Sequence, residues 1–197
     1  MSKRCFDIFF SSIALILLTP ILLIIAAFIK LIEGSPILYK QERIGRDFRP
    51  FVLYKFRTML EDSGKVDELI TVDGDERITK TGRILRKYKL DEIPQLINVL
   101  KGDMSIVGPR PEVSKYVEIF REDYKTILKI KPGLTDLATL EFRDEERILS
   151  NYDDPEWAYI NVILPRKLEL SKEYVEKSNL LLDIIIIART IKSIVRF

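Results

Sequence analysis

The stretch LDEIPQLINVLKGD at residues 90–103 places two adjacent carboxylates, Asp91 and Glu92, at the predicted start of a helix. Pro94 is tolerated in a first helical turn, where backbone N–H groups have no partner within the helix. We therefore predict that Asp91 is the N-cap of this helix. The helix dipole and the six cations of residues 77–89, a segment without acids, would favour its ionised form.

The Asp91–Glu92 pair has two interpretations. An ionised carboxylate beside a basic segment suits a nucleophile or a Mg²⁺ ligand in phosphate chemistry. Alternatively, Asp91 is an ordinary N-cap and Glu92 an ordinary first-turn acid. On these residues alone the second interpretation is favoured, because caps are common and nucleophiles are rare.

Composition restricts the chemistry further. The 197 residues indicate one domain, or one domain with an anchor, and the net charge of +2 does not indicate a nucleic-acid partner. Without histidine, and with Cys5 as the one cysteine, the chain has no imidazole base, disulfide or zinc–cysteine cluster and supports intracellular placement. The metal that suits the remaining oxygen ligands is a hard, oxygen-preferring cation such as Mg²⁺.

An apolar segment opens the chain. Residues 5–29 contain 25 residues whose only charge is Asp7, which is long enough to cross a bilayer. Pro20 near the middle interrupts the hydrogen-bond ladder, and both flanks are basic, so the positive-inside rule places both on the cytoplasmic side. The residues leave open a single span and a re-entrant helix that bends at Thr19-Pro20 and returns to the same face.

The remaining segments predict a mixed fold. Two β-prone runs in residues 37–58 flank a turn and indicate a hairpin whose cations meet anionic lipid, a diphosphate or only solvent. Arg110 lies between Pro109 and Pro111, which hold it in an extended conformation suited to phosphate recognition or to a structural turn. We also predict a loop at 61–75, helices at 78–89, 112–130, 165–175 and 180–197, and a type II turn at 131–134.

The order of these segments resembles the bacterial sugar transferase family, the monotopic phosphoglycosyl transferases. The motifs that carry the resemblance are the N-terminal apolar segment with Pro20, RIG at 43–45, YKFRTM at 54–59, LDEIPQLINVLKGDMS at 90–105, VGPRP at 107–111 and KPGLT at 131–135. They extend from about residue 3 to the C-terminus, and the central block is very specific. The resemblance makes the catalytic interpretation of Asp91 the favoured one.

The resemblance, together with the segments above, implies a mostly helical α+β fold with a small β-hairpin and interfacial amphipathic helices. Residues 1–33 would be a re-entrant membrane helix bent at Thr19-Pro20. Residues 34–197 would be a catalytic domain on the cytoplasmic face of a bacterial inner membrane. The sequence has no counterpart of the polytopic N-terminal extension of larger relatives, so we expect a minimal catalytic unit.

The reaction that the resemblance implies moves a sugar-1-phosphate from a UDP-sugar to polyprenyl (undecaprenyl) phosphate and releases UMP. Asp91 would attack the sugar-proximal phosphorus and carry the phospho-sugar covalently, with Mg²⁺ against it. Glu92 would be an acid/base or orienting carboxylate. The residues expected to meet phosphate or substrate are cationic: Arg110, Arg86, Lys55, Arg57 and, as a nucleotide contact, Arg143.

Alternatives remain at this stage. Many family members have GLAQVNGR where this chain has DLATLEFR at residues 136–143, which leaves the sugar undetermined.

A nucleotide-sugar phosphohydrolase and a non-catalytic membrane scaffold are the rival functions, and the intact carboxylate pair beside Arg110 argues against the second. The apolar C-terminal helix permits a homodimer but does not require one.

Overall fold

The computed structural model describes residues 2–60 and 69–195, so part of the predicted loop at 61–75 lies outside the described residues. The described chain is mostly helical, with two small two-stranded sheets and an apolar N-terminal helix. The helical character and the hairpin agree with the sequence prediction.

Helix α1 (Lys3–Phe28) has Ser2 as its N-cap, whose side chain accepts a hydrogen bond from the backbone N–H of Cys5. The helix continues as a π-helical turn, Ile29–Glu33. Within the described residues, Lys3–Glu33 is the one helical stretch long and apolar enough to cross a membrane, with a mean hydropathy of 2.8. Pro20 lies inside α1. The bend at Thr19-Pro20 stays a prediction.

The N-terminal end of α1 is tied to the folded chain by polar contacts. The Arg4 guanidinium donates to the carbonyls of Val99 and Leu100, at 2.5 and 2.8 Å. The Asp7 carboxylate is only 2% exposed and accepts hydrogen bonds from Ser105 Oγ (3.0 Å) and from the backbone N–H of Ile106 (3.1 Å). The one acid of the apolar segment is therefore a structural link.

The other end of the N-terminal helix also packs against the folded chain. Ile25 and Ile29 form a buried cluster with Phe56 and Leu85. Between the two ends, large apolar side chains are exposed, and Ile16 and Leu17 are 73% and 71% exposed. The other exposed apolar side chains in this part of the helix include Ile13, Ile21, Leu23 and Ile24.

The predicted hairpin is present. Strand β1 (Leu38–Ile44) pairs with strand β2 (Pro50–Phe56) in an antiparallel register that places Leu38 opposite Phe56. Leu53 of β2 is buried with Val99 and Met104, which anchors the hairpin against the segment containing the LDEIPQ motif.

The prediction that Asp91 is an N-cap was wrong. Helix α2 (Lys80–Lys87) is followed by a 3₁₀ turn, Leu90–Glu92, so Asp91 lies inside a turn whose N-cap is Lys89. Helix α3 (Gln95–Lys101) begins after it, with Pro94 in the N-cap position. Pro94 has no N–H to bond to a preceding carbonyl, which explains why the segment divides into a turn and a separate helix.

The predicted type II turn at 131–134 is also absent. Strand β3 (Ser105–Val107) pairs in parallel with strand β4 (Gly133–Thr135), so Gly133 is a strand residue. Its φ is not positive, as a type II turn would require. A Cβ on Gly133 would lie 2.1 Å from the backbone nitrogen of Gly108, so the glycine is needed for a close approach of two backbones.

The second half of the chain is helical. The helix predicted at 112–130 is broken at Phe120 into α4 (Ser114–Ile119) and α5 (Arg121–Ile127), because Phe120 has a non-helical ψ of 37°. The following helices are α6 (Leu137–Glu141), α7 (Glu145–Leu149), α8 (Pro155–Ala158), α9 (Leu164–Lys177) and α10 (Leu180–Val195), with a π-helical turn, Tyr159–Ile163, between α8 and α9. Tyr116, Tyr124 and Ile163 belong to the largest buried cluster, which joins α4, α5 and α9.

Candidate functional site

The 3₁₀ turn places Asp91 and Glu92 at the wall of a cavity of about 1130 Å³. The two residues are 6% and 8% exposed. All seven residues that the sequence predicted for catalysis or substrate binding line this one cavity: Lys55, Arg57, Arg86, Asp91, Glu92, Arg110 and Arg143. Elements far apart in the chain therefore contribute to a single site.

Glu92 is the centre of an ion-pair network. Its Oε1 accepts from Lys55 Nζ at 3.1 Å and from Arg110 Nη2 at 2.5 Å, and its Oε2 accepts from Arg110 Nη1 at 3.4 Å. Burial opposes ionisation, but Arg110 and Lys55 more than offset it and hold the pKa of Glu92 well below its ordinary value. Glu92 is therefore a stable anion that orients two cations toward the cavity.

Asp91 has a different environment. Its Oδ1 is buried and has no hydrogen-bond partner within the described part of the chain. Burial, followed by the adjacent charge of Glu92, raises the pKa of Asp91, although Lys55, Arg86 and Lys89 act in the opposite direction. The prediction that the surroundings favour its ionised form was wrong in direction, because a buried position near a second carboxylate outweighs the neighbouring cations.

Lys55 and Arg86 both lie near the Asp91–Glu92 pair, but the two side chains have different partners. Burial lowers the pKa of Lys55. The charge of Glu92 acts in the opposite direction, and the charge of Arg110 lowers this pKa further. Arg86 donates from Nε to Thr58 Oγ1 at 3.0 Å and from Nη1 to Glu146 Oε1 at 2.7 Å. The second contact fixes Arg86 between α2 and α7, at the cavity wall.

Arg57 has a structural role that the sequence did not reveal. Its Nη1 donates to the carbonyl of Ser35 at 3.0 Å, and its Nη2 donates to the carbonyls of Glu33 and Gly34 at 2.6 and 3.2 Å. It thereby ties β2 to the end of the N-terminal helix. A phosphate contact for Arg57 and a nucleotide contact for Arg143 stay predictions.

Asp136 is a site residue that sequence reasoning missed. It is 1% exposed, and its Oδ2 accepts the backbone N–H of Arg110 at 3.1 Å. Its Oδ1 caps α6 by accepting the N–H of Thr139 at 2.6 Å. The available signal was an Asp directly before a short apolar run, a common N-cap pattern. The contact with Arg110 is non-local and leaves no mark in the sequence.

Glu112 was missed as well. It follows the Pro-Arg-Pro segment and lines the cavity, where it accepts from Arg43 Nη1 at 3.3 Å and from the Tyr159 hydroxyl at 2.7 Å. Burial, then the charge of Glu112, raises the pKa of Tyr159 well above its ordinary value, so Tyr159 stays a neutral donor. This network holds the RIG motif against the chain that presents Arg110.

The residues present fit one mode of Mg²⁺ binding. Within residues 2–60 and 69–195 no group of three metal-ligating side chains comes together, so a cage made only by the protein is not formed there. Asp91 instead offers one buried oxygen without a partner. Mg²⁺ is commonly held by one or two carboxylates, with substrate phosphates and water completing the octahedron. The Asp91 ligand stays a prediction that this geometry permits.

Comparison with known proteins identifies the family. The chain matches the family described as "Bacterial sugar transferase" over residues 1–197. The "Uncharacterized sugar transferase EpsL" of Bacillus subtilis (strain 168) is 35% identical over 192 residues, which cover 98% of this chain and 86% of that protein. The "Exopolysaccharide production protein ExoY" of Rhizobium meliloti (strain 1021) is 32% identical over 209 residues, which cover 98% of this chain and 85% of that protein.

A longer relative has a name that states its reaction. The "UDP-glucose:undecaprenyl-phosphate glucose-1-phosphate transferase" of Escherichia coli (strain K12) is 36% identical over 194 residues, which cover 96% of this chain but 39% of that protein. This chain therefore corresponds to less than half of that relative. From the match over its whole length and from the relatives that it covers almost completely, the chain belongs to the bacterial sugar transferase family.

Proposed function

We propose that the protein transfers a sugar-1-phosphate from a UDP-sugar to polyprenyl phosphate, specifically undecaprenyl phosphate, and releases UMP. This would be the first membrane step in the assembly of a surface glycan. The observation that carries the proposal is the buried Asp91–Glu92 pair, which faces a cation-lined cavity in a chain that also has an apolar N-terminal helix. The name of the Escherichia coli relative supports the same reaction class.

Asp91 is the nucleophile in this proposal. A carboxylate oxygen attacks the phosphorus bonded to the sugar oxygen, an Asp91–phosphorus bond forms, and the bond between that phosphorus and the bridging oxygen of the diphosphate breaks. UMP leaves with the electron pair of that bond. An oxygen of polyprenyl phosphate then attacks the same phosphorus and releases Asp91 unchanged. The unpartnered Oδ1 supports this role, because no hydrogen bond from the described protein holds that oxygen.

The cations near Asp91 make the attack feasible. A diphosphate repels a carboxylate, so its charge must be neutralised before and during the transfer. Lys55 and Arg110 form ion pairs with Glu92 at the cavity wall, within reach of a diphosphate in the cavity. The depressed pKa of Glu92 supports an orienting role rather than one as a proton donor, because Glu92 keeps its negative charge.

A divalent cation supplies further neutralisation. When bound, Mg²⁺ would supply positive charge that offsets the charge of the diphosphate and of the leaving UMP. The residue that would hold it is Asp91, through the oxygen that lacks a partner.

We further propose that residues 1–33 form a re-entrant helix bent at Thr19-Pro20 and that residues 34–197 form the catalytic domain on the cytoplasmic face of the inner membrane. Two observations support this topology. Both ends of the N-terminal helix contact the same folded chain, through Asp7 at one end and Ile29 at the other. The apolar side chains between them are exposed, as expected for a segment that lies in lipid. Exposed Leu181 and Ile191 of α10 suit an interfacial helix.

The experiment that tests the reaction measures UMP release from a panel of UDP-sugars with Mg²⁺, with and without undecaprenyl phosphate. We expect release that depends on the lipid and that falls by at least about a thousandfold in Asp91→Asn, because an amide is a poor nucleophile. Continued release without the lipid, beyond the one UMP per protein that formation of the Asp91 intermediate liberates, would favour the phosphohydrolase. Unchanged turnover in Asp91→Asn would remove Asp91 as the nucleophile.

A further inference from the structure

Another unpartnered polar atom lies at the cavity, in the segment where the chain departs from the common family pattern. Thr139 of α6 is a cavity-lining residue. Its Oγ1 is buried and has no hydrogen-bond partner among the residues that the structure describes. A buried hydroxyl without a partner is costly, and nearly all such groups in folded proteins find one. A partner for Thr139 is therefore expected from a ligand.

Thr139 is held in place by its backbone. Asp136 Oδ1 accepts the Thr139 N–H at 2.6 Å, and Asp136 Oδ2 accepts the Arg110 N–H at 3.1 Å. One carboxylate, itself 1% exposed, therefore fixes Thr139 beside the chain that presents Arg110. Preorganised groups of this kind lose little entropy when they bind a ligand. Thr139 lines the same cavity as Arg110 and Asp91.

The position of Thr139 indicates which part of the donor it meets. Arg110 pairs with Glu92, which is adjacent to Asp91 in the turn. In the proposed reaction Asp91 attacks the phosphorus that carries the sugar, so the sugar lies at this end of the cavity. We infer that the Thr139 hydroxyl hydrogen-bonds a hydroxyl or acetamido group of the donor sugar and helps to select the sugar. This inference rests on the proposed transferase function.

The test compares Thr139→Val, which keeps the side-chain shape and removes the hydroxyl, with Thr139→Ser, which keeps the hydroxyl. UDP-glucose, UDP-galactose and UDP-N-acetylgalactosamine serve as donors, and UDP serves as a sugar-free competitive inhibitor. For the best donor we expect Thr139→Val to lower kcat/KM about tenfold and to leave the inhibition constant of UDP unchanged. Thr139→Ser should stay within about threefold of the parent, because the hydrogen bond persists.

Stability supplies an independent readout. Because the hydroxyl has no partner in the described protein, its removal should leave the Tm of the ligand-free protein unchanged or higher. Thr126→Val, the same change in α5 outside the cavity, is the control and should alter neither kcat/KM nor the inhibition by UDP.

The outcomes separate this inference from the proposed function. A lower Tm in Thr139→Val would overturn the inference, because the hydroxyl would then have a partner inside the protein. If Thr139→Val weakened inhibition by UDP as much as it lowered kcat/KM for the UDP-sugar, the contact would be with the nucleotide and the inference would be overturned. Unchanged kinetics in Thr139→Val would also overturn the inference. Absence of lipid-dependent UMP release from the parent protein, with any donor, would overturn the proposed function and with it the assignment of Thr139.

Discussion

At the scale of single residues, the sequence predicts which side chains form the candidate site, but it does not predict the surroundings in which the fold places them. The LDEIPQ motif and the Pro-flanked Arg110 marked the candidate reactive groups in the sequence, and the structure brings them to one cavity. The raised pKa of Asp91 was not predictable, because it depends on burial, which is a property of the tertiary fold. Asp136 and Glu112 escaped notice for the same reason, since their partners lie 26 and 47 residues away.

A prediction at this scale concerns Glu92. Glu92→Gln removes the negative charge that Lys55 and Arg110 share. We expect kcat to fall by about a hundredfold, because the two cations lose their common anchor, while the KM for the anionic UDP-sugar stays the same or decreases. Steady-state kinetics measure both constants. Glu118→Gln, at an exposed pair with Arg121, is the matched control, and a Glu92→Gln variant with normal kcat would contradict the orienting role.

At the scale of elements, local signals predicted local structure. The hairpin β1–β2 and helix α2 were predicted because their patterns and turn residues are contiguous in sequence. The parallel pair β3–β4 was missed, because its two strands are short and separated by two helices. The break at Phe120 was also missed, since the apolar periodicity of residues 112–130 continues across it.

A prediction at the element scale concerns Asp7, which links α1 to β3. Asp7→Leu leaves Ser105 Oγ and the Ile106 N–H without their acceptor. We expect the free energy of unfolding to fall by about 1–3 kcal/mol, because buried donors lose a partner. Asp7→Asn keeps an acceptor oxygen and should cost less. Thermal unfolding in detergent measures the difference, and equal Tm values for Asp7→Leu and the parent would contradict the link.

At the scale of the whole molecule, the proposed topology makes the two ends of the apolar segment neighbours on one side of the membrane. In a Cys5→Ser background, we expect an impermeant maleimide to label Ser2→Cys and Ser35→Cys, both exposed, from the cytoplasmic face only. Leu17→Cys, exposed in the structure but placed in lipid by the proposal, should be protected until detergent is added. Labelling of the two ends from opposite faces would show a single span.

A phospho-sugar carried by Asp91 is the central step of the proposed mechanism, and intact-protein mass spectrometry tests this step most directly. The protein is incubated with Mg²⁺ and its best UDP-sugar donor without the lipid acceptor, and its mass is then measured. We predict an added mass of one sugar phosphate, mapped by peptide analysis to Asp91, absent in Asp91→Asn and lost when undecaprenyl phosphate is added. A protein that turns over normally with the lipid but never gains this mass, even in rapidly quenched samples, would contradict the covalent mechanism.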